Sequence, residues 1–343
     1  MSTIKQIAEL AGVSPTTVAN VIHGKTEKVS GMVRDRIIKI LKEENYAPNQ
    51  GALMLKRSRS HIVGIILFME PRSSSSSIED PFVSRIIGTL ETEIREAGYF
   101  MMLRCTSNKD EVLHFAATWK LAGLVILCMP SEISRAVAKS VASPVVFVDC
   151  YFEEPGSKYY SIKLDDEKGG FEMTRYLLDK GHRDIAFLAN AADFPSVDSA
   201  RYDGYRNAFK EAGLAIPRDK LFILSKNEKE RLRLYLWFAE NPGFCTALFF
   251  SADYYAAEAI DCLAQLGLKI PDQLSIAGFD DNLLSRLQNP KITTVHQDVV
   301  QKGRLAAKML FTLVKKEIPP QRELVLPIRI VARESVSNRI VSS

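Results

Sequence analysis

No stretch of this sequence approaches the roughly 18 to 20 consecutive apolar residues that a bilayer-spanning helix needs; runs such as 62–68 fall far short. The opening residues, MSTIKQIAELAG, lack the basic start, continuous apolar stretch and small-residue cleavage site of a secretory signal, so the expected compartment is the cytoplasm. Cysteine is scarce. The five present, Cys105, Cys128, Cys150, Cys245 and Cys262, form no C-x-x-C pair. A disulfide framework is thereby excluded, and buried free thiols in a reducing compartment are expected. Five scattered histidines give no metal spacing. Phosphate-binding, dinucleotide-binding and nucleophile-elbow motifs are absent too. The adjacent carboxylates Asp165-Asp166 and Asp280-Asp281 invite an acid/base reading, but sequence neighbours usually point apart. Neither a cofactor nor an enzymatic activity is expected.

What remains is an ordinary folded composition, 46% hydrophobic and 25% charged over 343 residues. At about 100 to 200 residues per domain, that length predicts two or three domains with cores of their own. The net charge of +4 is unevenly placed: residues 1–60 carry ten basic and five acidic side chains, leaving residues 61–343 slightly acidic. A small basic domain joined to a near-neutral large one is the electrostatic footprint of a nucleic-acid binder, since neutralising phosphates releases counterions. An ordinary solvated face is the alternative.

Local signals sharpen the first reading. Thr3 and Gln6 make a capping box before Ile4, Ile7, Ala8 and Ala11, and Gly12 ends the helix. Ser14 caps a second helix with Pro15 at its first position, Val18, Val21 and Ile22 form its apolar side, and Gly24 stops it. A third helix is predicted from Ser30 to about Asn45, with Val33, Ile37, Ile40 and Leu41 inside. At 100° per residue, Thr16, Asn20 and His23 fall together opposite the apolar side of the second helix. Side chains of this kind hydrogen-bond base edges, so the unit reads as a helix-turn-helix that enters the major groove. A polar solvent face on a helical bundle is the competing account. A possible short fourth helix, 49–56, shows Leu53, Met54 and Leu55 with little to bury them and is followed by cations. Such a segment suits folding against DNA with an apolar wedge in the minor groove, or an interdomain linker.

From Ile62 onward, apolar strand-like runs near 62–68, 99–104, 123–128, 145–149, 184–189, 221–224, 246–250 and 275–278 alternate with amphipathic helices. That alternation predicts parallel sheets flanked by helices, with ligands at the carboxyl ends of strands.

The stretches TIKQIAELAGVSPTTVANVIHG (3–24), NYAPN (45–49) and LK (55–56) resemble the DNA-binding domain and hinge helix of the LacI/GalR family. The likeness continues through DPFVSRI (80–86), FVD (147–149), KGHRDIAFLA (180–189), RYDGYRNAF (201–209), IPDQLSIAGFDD (270–281) and ITTVHQD (292–298). It implies an α/β protein: a small all-α helix-turn-helix domain (1–48), a hinge (49–60), and a two-lobed periplasmic-binding-protein-like domain (61–343). The expected N-lobe is 61–160 plus 292–322, and the C-lobe 161–291 plus 323–343. Function implied by the resemblance is transcriptional repression by a homodimer on a near-palindromic operator, controlled by a small, sugar-like effector. Corepression by a purine, and solute binding without DNA, are the alternatives.

The resemblance places Pro15, Thr16 and Asn20 at bases, Leu55 at a central base step and Lys56 beside it. The expected DNA-binding surface is Thr3, Ser14, Pro15, Thr16, Thr17, Asn20, His23, Asn49, Ala52, Leu55 and Lys56. Where relatives commonly have Ser-Arg or Ser-His, this chain has Ala19-Asn20, and asparagine favours adenine. For the effector, Arg201 in the first turn of a helix begun near Ser199 offers a planar fork of donors, or pairs with Asp198 or Asp203. The resemblance assigns Arg201 and Asp280 to the effector; Asp149, Asp253 and Gln297 are further candidates at strand ends, and Phe82 at a ring. Ala252 stands where relatives commonly carry an asparagine, so either Tyr254 or Tyr255 substitutes or the effector is not a simple sugar. The tail after Glu334 has no heptad pattern, which predicts a dimer.

Overall fold

The computed structural model describes residues 2–22, 24–27, 29–46, 60–69, 77–152, 159–190, 196–217 and 219–339. The expected hinge segment, including Asn49, Ala52, Leu55 and Lys56, lies outside them, as do His23 and residues 70–76. The chain divides into two compact units between residues 58 and 59.

The first unit is three helices, α1 (Ile4–Ala11), α2 (Pro15–Ile22) and α3 (Gly31–Glu43). Thr3 Oγ1 accepts from the Gln6 amide at 3.3 Å while Gln6 Oε1 accepts from the Thr3 amide at 2.8 Å, so two donors that α1 cannot bond internally are satisfied. Gly12, at φ 64°, reverses the chain. Ser14 Oγ accepts from the Thr17 amide at 3.2 Å and opens α2. The stripe counted from helical spacing is the core: Ile7, Ala8, Ala11, Val18 and Ile37 are buried, with Val21, Ile22, Val33, Ile40 and Leu41 packed around them.

The second unit holds two six-stranded sheets. The first has the order β11-β5-β4-β3-β1-β2, from β1 (Ile62–Phe68), β2 (Phe100–Thr106), β3 (Gly123–Leu127), β4 (Val145–Val148), β5 (Tyr160–Leu164) and β11 (Glu323–Leu326). The second has the order β12-β10-β9-β8-β6-β7, from β6 (Ile185–Ala189), β7 (Leu221–Ile223), β8 (Ala247–Phe250), β9 (Ser275–Asp280), β10 (Thr293–His296) and β12 (Arg329–Val331). Pairing is parallel throughout except for antiparallel β10 and β12. Central strands such as IVGIILF and ALFF are apolar on both faces because helices cover both sides. Helices α4 (Pro81–Glu96), α5 (Lys109–Trp119), α6 (Ser131–Ser140) and α12 (Val299–Val314) serve the first lobe. Helices α7 (Asp166–Asp179), α8 (Val197–Glu211), α9 (Glu228–Glu240), α10 (Asp253–Gln265) and α11 (Leu283–Leu287) serve the second. One apolar cluster runs through both lobes, from Val63 and Leu127 to Phe187 and Phe279, and each lobe adds a smaller one of its own.

The chain passes between the sheets after β5, after β10 and after β11. The lobe boundaries drawn from sequence therefore fall a few residues early: 161–164 and 323–326 belong to the first sheet, and 293–296 to the second. Four strands, β5, β10, β11 and β12, are missing from the sequence reading. YSIKL, TTVH, ELVL and RIV are short and carry polar side chains, which hides them among loops. The cysteines are free; Cys150 and Cys245 are buried, while Cys105, Cys128 and Cys262 are only partly so. Among the described residues no helix is long and apolar enough to cross a membrane.

Candidate functional site

In the small unit, the residues singled out for DNA lie on and around α2. Thr3, Ser14, Pro15 and Thr16 are exposed, and Thr17 and Asn20 half-buried. Thr17 is also structural, since its hydroxyl lies 2.9 Å from that of Ser14 and its amide closes the cap. The opposite side of α2 is held by buried Val18, so α2 presents Thr16 and Asn20 outward on a rigid support.

In the large unit, the carboxyl ends of both sheets carry the polar groups. Cys128, Asp149, Asp280 and Asp281, each just past or at the end of a strand, all have positive φ. Non-glycine residues in this region cost roughly 1–3 kcal/mol each and cluster where a chain is held in a special geometry at a site. Lys302 on α12 is fully buried, and its ammonium donates to both oxygens of Asp149 at 2.8 and 2.9 Å and to Gln297 Oε1 at 2.7 Å. Gln297 Nε2 donates to Asp280 Oδ1 at 2.5 Å, and Arg201 Nη1 lies 4.0 Å from that same oxygen. Arg201 Nε donates to Asp166 Oδ1 at 2.7 Å, its Nη1 to the Ser251 carbonyl at 2.5 Å, and the Tyr151 hydroxyl to Asp166. One polar chain thus runs from Asp149 and Tyr151, beyond β4 of the first lobe, to Asp280 and Arg201 of the second.

Arg201 is placed by helix packing. Its helix begins at Val197 after the N-cap Ser196, whose hydroxyl accepts from the Ser199 amide, so Arg201 sits in the second turn and not the first. Of the two nearby aspartates, Asp198 adds its charge to the field around Arg201 while its Oδ2 accepts from the Asn190 amide, and Asp203 pairs with Arg206. The close approach of α7 and α8 brings Asp166 against Arg201. An added Cβ at Gly170 would lie 1.9 Å from the Arg201 carbonyl oxygen, and one at Gly204 1.9 Å from that of Glu167. Below, the Phe279 ring lies 3.6 Å from the guanidinium carbon.

Electrostatics follow burial. Desolvation raises the Asp280 carboxyl well above the ordinary range and Asp149 above its ordinary value, with Arg201 and Lys302 respectively pulling the other way. Burial alone would lower the Arg201 pKa, but Asp166 and Asp280 outweigh it and raise it. For Asp281, burial pushes up, but hydrogen bonds from Arg333 and His296 prevail and hold it low. The two neighbouring aspartates thus have separate partners, as their adjacency in sequence predicts.

A cavity of about 730 Å³ opens above this chain, walled by Phe82 and the rest of the α4 face on one side and by Asp280, Asp281, His296 and Gln297 on the other. Of the seven candidates, Phe82, Asp280 and Gln297 line it, while Asp149, hydrogen-bonded through Lys302 to Gln297, and Arg201, 4.0 Å from Asp280 Oδ1, lie behind. Asp253 and Tyr254 are not among its walls. Tyr254 packs on the apolar cluster of the second lobe, Tyr255 is buried in it, and neither of the two tyrosines beside Ala252 lines this cavity. Asp253 is fully buried at the first position of α10, accepting from Thr294 Oγ1 at 2.6 Å and from the Asn282 amide at 3.0 Å. It shapes the turn that carries Asp280 and Asp281.

Burial lifts Asp253 to about 7, against the hydrogen bonds that pull it down. A carboxyl whose folded value lies above its ordinary 3.8 contributes stability that is full below that value and is lost as the pH rises through about 7. Asp253→Asn is therefore expected to flatten the fall in thermal midpoint between about pH 4 and pH 8. An unchanged slope in a melting series across that range would assign the dependence elsewhere.

Sequence reasoning missed Lys302, Tyr151 and Ser251, and noticed Asp166 only as half of an acidic pair. Lys302 had a signal: Val299, Ala306 and Leu310 place it on the buried stripe of α12.

Comparison with known proteins agrees with this construction. Residues 3–49 match the family described as bacterial regulatory proteins, lacI family, and residues 174–336 match a periplasmic binding protein-like domain. The HTH-type transcriptional repressor PurR of Pasteurella multocida is 30% identical over 350 residues, covering 99% of this chain and 100% of that protein. The ribose operon repressor of Haemophilus influenzae is 29% identical, covering 98% and 99%. A lac repressor dimer bound to operator and the anti-inducer ONPF superposes with a TM-score of 0.84 at 23% identity, covering 98% and 99%. The complex of the regulator CelR with cellobiose gives 0.71 at 23%, covering 98% and 100%. With its helix-turn-helix unit, its two-lobed domain and its end-to-end similarity to these repressors, the chain belongs to the lacI family of bacterial regulatory proteins.

Proposed function

We propose that the protein is a cytoplasmic, dimeric repressor that reads a near-palindromic operator through α2 and answers to a small polar effector bound between the lobes. The outward face of α2, with Thr16 exposed and Asn20 beside it on a capped and packed helix, carries the DNA half of this reading. The effector half rests on Phe82, Asp280 and Gln297 lining one cavity with Arg201 behind Asp280. By linkage, an effector that prefers one lobe arrangement changes operator affinity by the factor with which the operator changes its own.

Selecting genomic fragments with the full-length protein at near-physiological salt tests the first half. A near-palindromic sequence among the retained fragments is expected, and salt-sensitive fragments of random sequence would argue against it. On the selected site, Asn20→Ala should cost about 1–3 kcal/mol of specific binding and leave non-specific binding unchanged. Equal loss on both would assign Asn20 to phosphate or to the fold. A purine corepressor is the second reading; it is favoured by the Phe82 ring at the cavity wall and by relatives named as PurR repressors. Addition of purine bases to the operator titration separates the two.

A further inference from the structure

The hydrogen-bond inventory of the cleft floor restricts the charge of whatever binds there, given that the cavity is the effector site. Lys302 has three ammonium protons, and all three have acceptors: the two oxygens of Asp149 and Gln297 Oε1. Arg201 has two of its nitrogens engaged, by Asp166 and by the Ser251 carbonyl. Gln297 is bonded through both ends of its amide. Asp280, by contrast, takes one side-chain hydrogen bond among the described residues, on Oδ1, and lines the cavity. Asp80 and Asp253 lie near enough to push its carboxyl further up. Three carboxyl groups of the floor, Asp149, Asp166 and Asp280, share its two cations, Arg201 and Lys302, so both cations are already paired and neither is left open to an anion. At the rim, Arg286 is tied to Asp281 and Arg304 to Glu93, and Arg85 is exposed to water.

We propose that Lys302 is a specificity-determining residue of this cleft: by holding Asp149 and Gln297 it leaves Asp280 as the acceptor that faces the cavity, and the floor takes uncharged or amine-bearing polyhydroxy compounds while rejecting phosphorylated and carboxylated ones. Specificity here is set against a competitor. An anion would meet a desolvated floor whose cations are already paired, and hydroxyl or ammonium protons would find an acceptor in Asp280. Lys302 itself touches the floor, and its ammonium stands 5.3 Å from the Phe82 ring centroid, on the cavity wall.

The test is a charge-matched panel, in which neutral hexoses and pentoses, their amino sugars, uronic acids and phosphates are screened by thermal shift on the full-length protein, with operator binding followed in parallel. Stabilisation by at least one neutral or amine-bearing member, and by none of its acidic counterparts, is expected. Lys302→Met adds one negative charge and should raise the preference for amine over neutral at least tenfold. Asp149→Asn removes one and should weaken the rejection of acids by a similar factor. A merely structural lysine would lower stability in both variants without moving these rankings in opposite directions. If Lys302→Met does not fold, Lys302→Met combined with Asp149→Asn restores the wild-type charge and is expected to restore the wild-type ranking. An acidic member that stabilises the wild type, rankings that do not move, or a panel in which nothing binds would each overturn the proposal; intact operator binding in those cases leaves the repressor reading standing.

Discussion

Replacing Arg201 with leucine is expected to destabilise the large unit by about 3–5 kcal/mol, because the buried carboxyls of Asp166 and Asp280 would both lose the cation that compensates their burial. Arg201 is 5% exposed and its side chain contacts Asp166 at 2.7 Å, so solvent cannot replace it. A further loss comes from the Phe279 ring, on which the guanidinium lies. Denaturant titration of the full chain reads the effect in the transition of the large unit. The same experiment on Arg201→Leu with Asp166→Asn should recover part of the loss, since removing both members of a buried pair is far milder than removing one. A loss below about 1 kcal/mol would mean that the pair behaves as a surface ion pair.

Gly204→Ala should be nearly as damaging, by about 1–3 kcal/mol or more, for a reason unrelated to charge. The added methyl would lie 1.9 Å from the Glu167 carbonyl oxygen and 2.5 Å from the Phe171 amide, both backbone atoms of α7 that cannot turn aside. Alanine is favoured over glycine inside a helix by about 1 kcal/mol, so overpacking must exceed that gain before any loss is seen. Gly88, in α4, is the control: a methyl there meets nothing within 4 Å, and Gly88→Ala should be neutral or stabilising. Because α7 carries Asp166 and α8 carries Arg201, Gly204→Ala should also blunt the response of operator binding to effector. A variant as stable as the wild type would show that the two helices have room to separate.

Much of this architecture is legible in the sequence, and the exceptions share a cause. Helix α1 declares itself through Thr3 and Gln6, α2 through Ser14 and Pro15, and eight strands through apolar runs with turn signals around them. In each case the determining contacts lie within a few residues. The strands next to the lobe crossovers, such as TTVH and RIV, owe their conformation to partners far away in the chain, and nothing local in them says so. The site divides in the same manner. Asp280, Gln297 and Phe82 sit at strand and helix ends, where ligands of α/β sheets gather, and could be nominated by position. Asp166 and Lys302 take part because helices from distant segments meet, and the partner of Arg201 turns out to be thirty-five positions upstream, not a near neighbour. Asp253 stands in the right neighbourhood and is turned inward, a distinction of side-chain direction that spacing does not carry.

The three passages of the chain between the two sheets have a mechanical meaning. Each lobe is stitched from stretches that the other lobe interrupts, so no single cut in the backbone can free one lobe from the other. A protease that nicked one connecting strap would leave two straps intact, the shared apolar cluster unbroken, and the halves still registered on each other. The straps therefore act in parallel, and any movement of one lobe against the other must bend all three together.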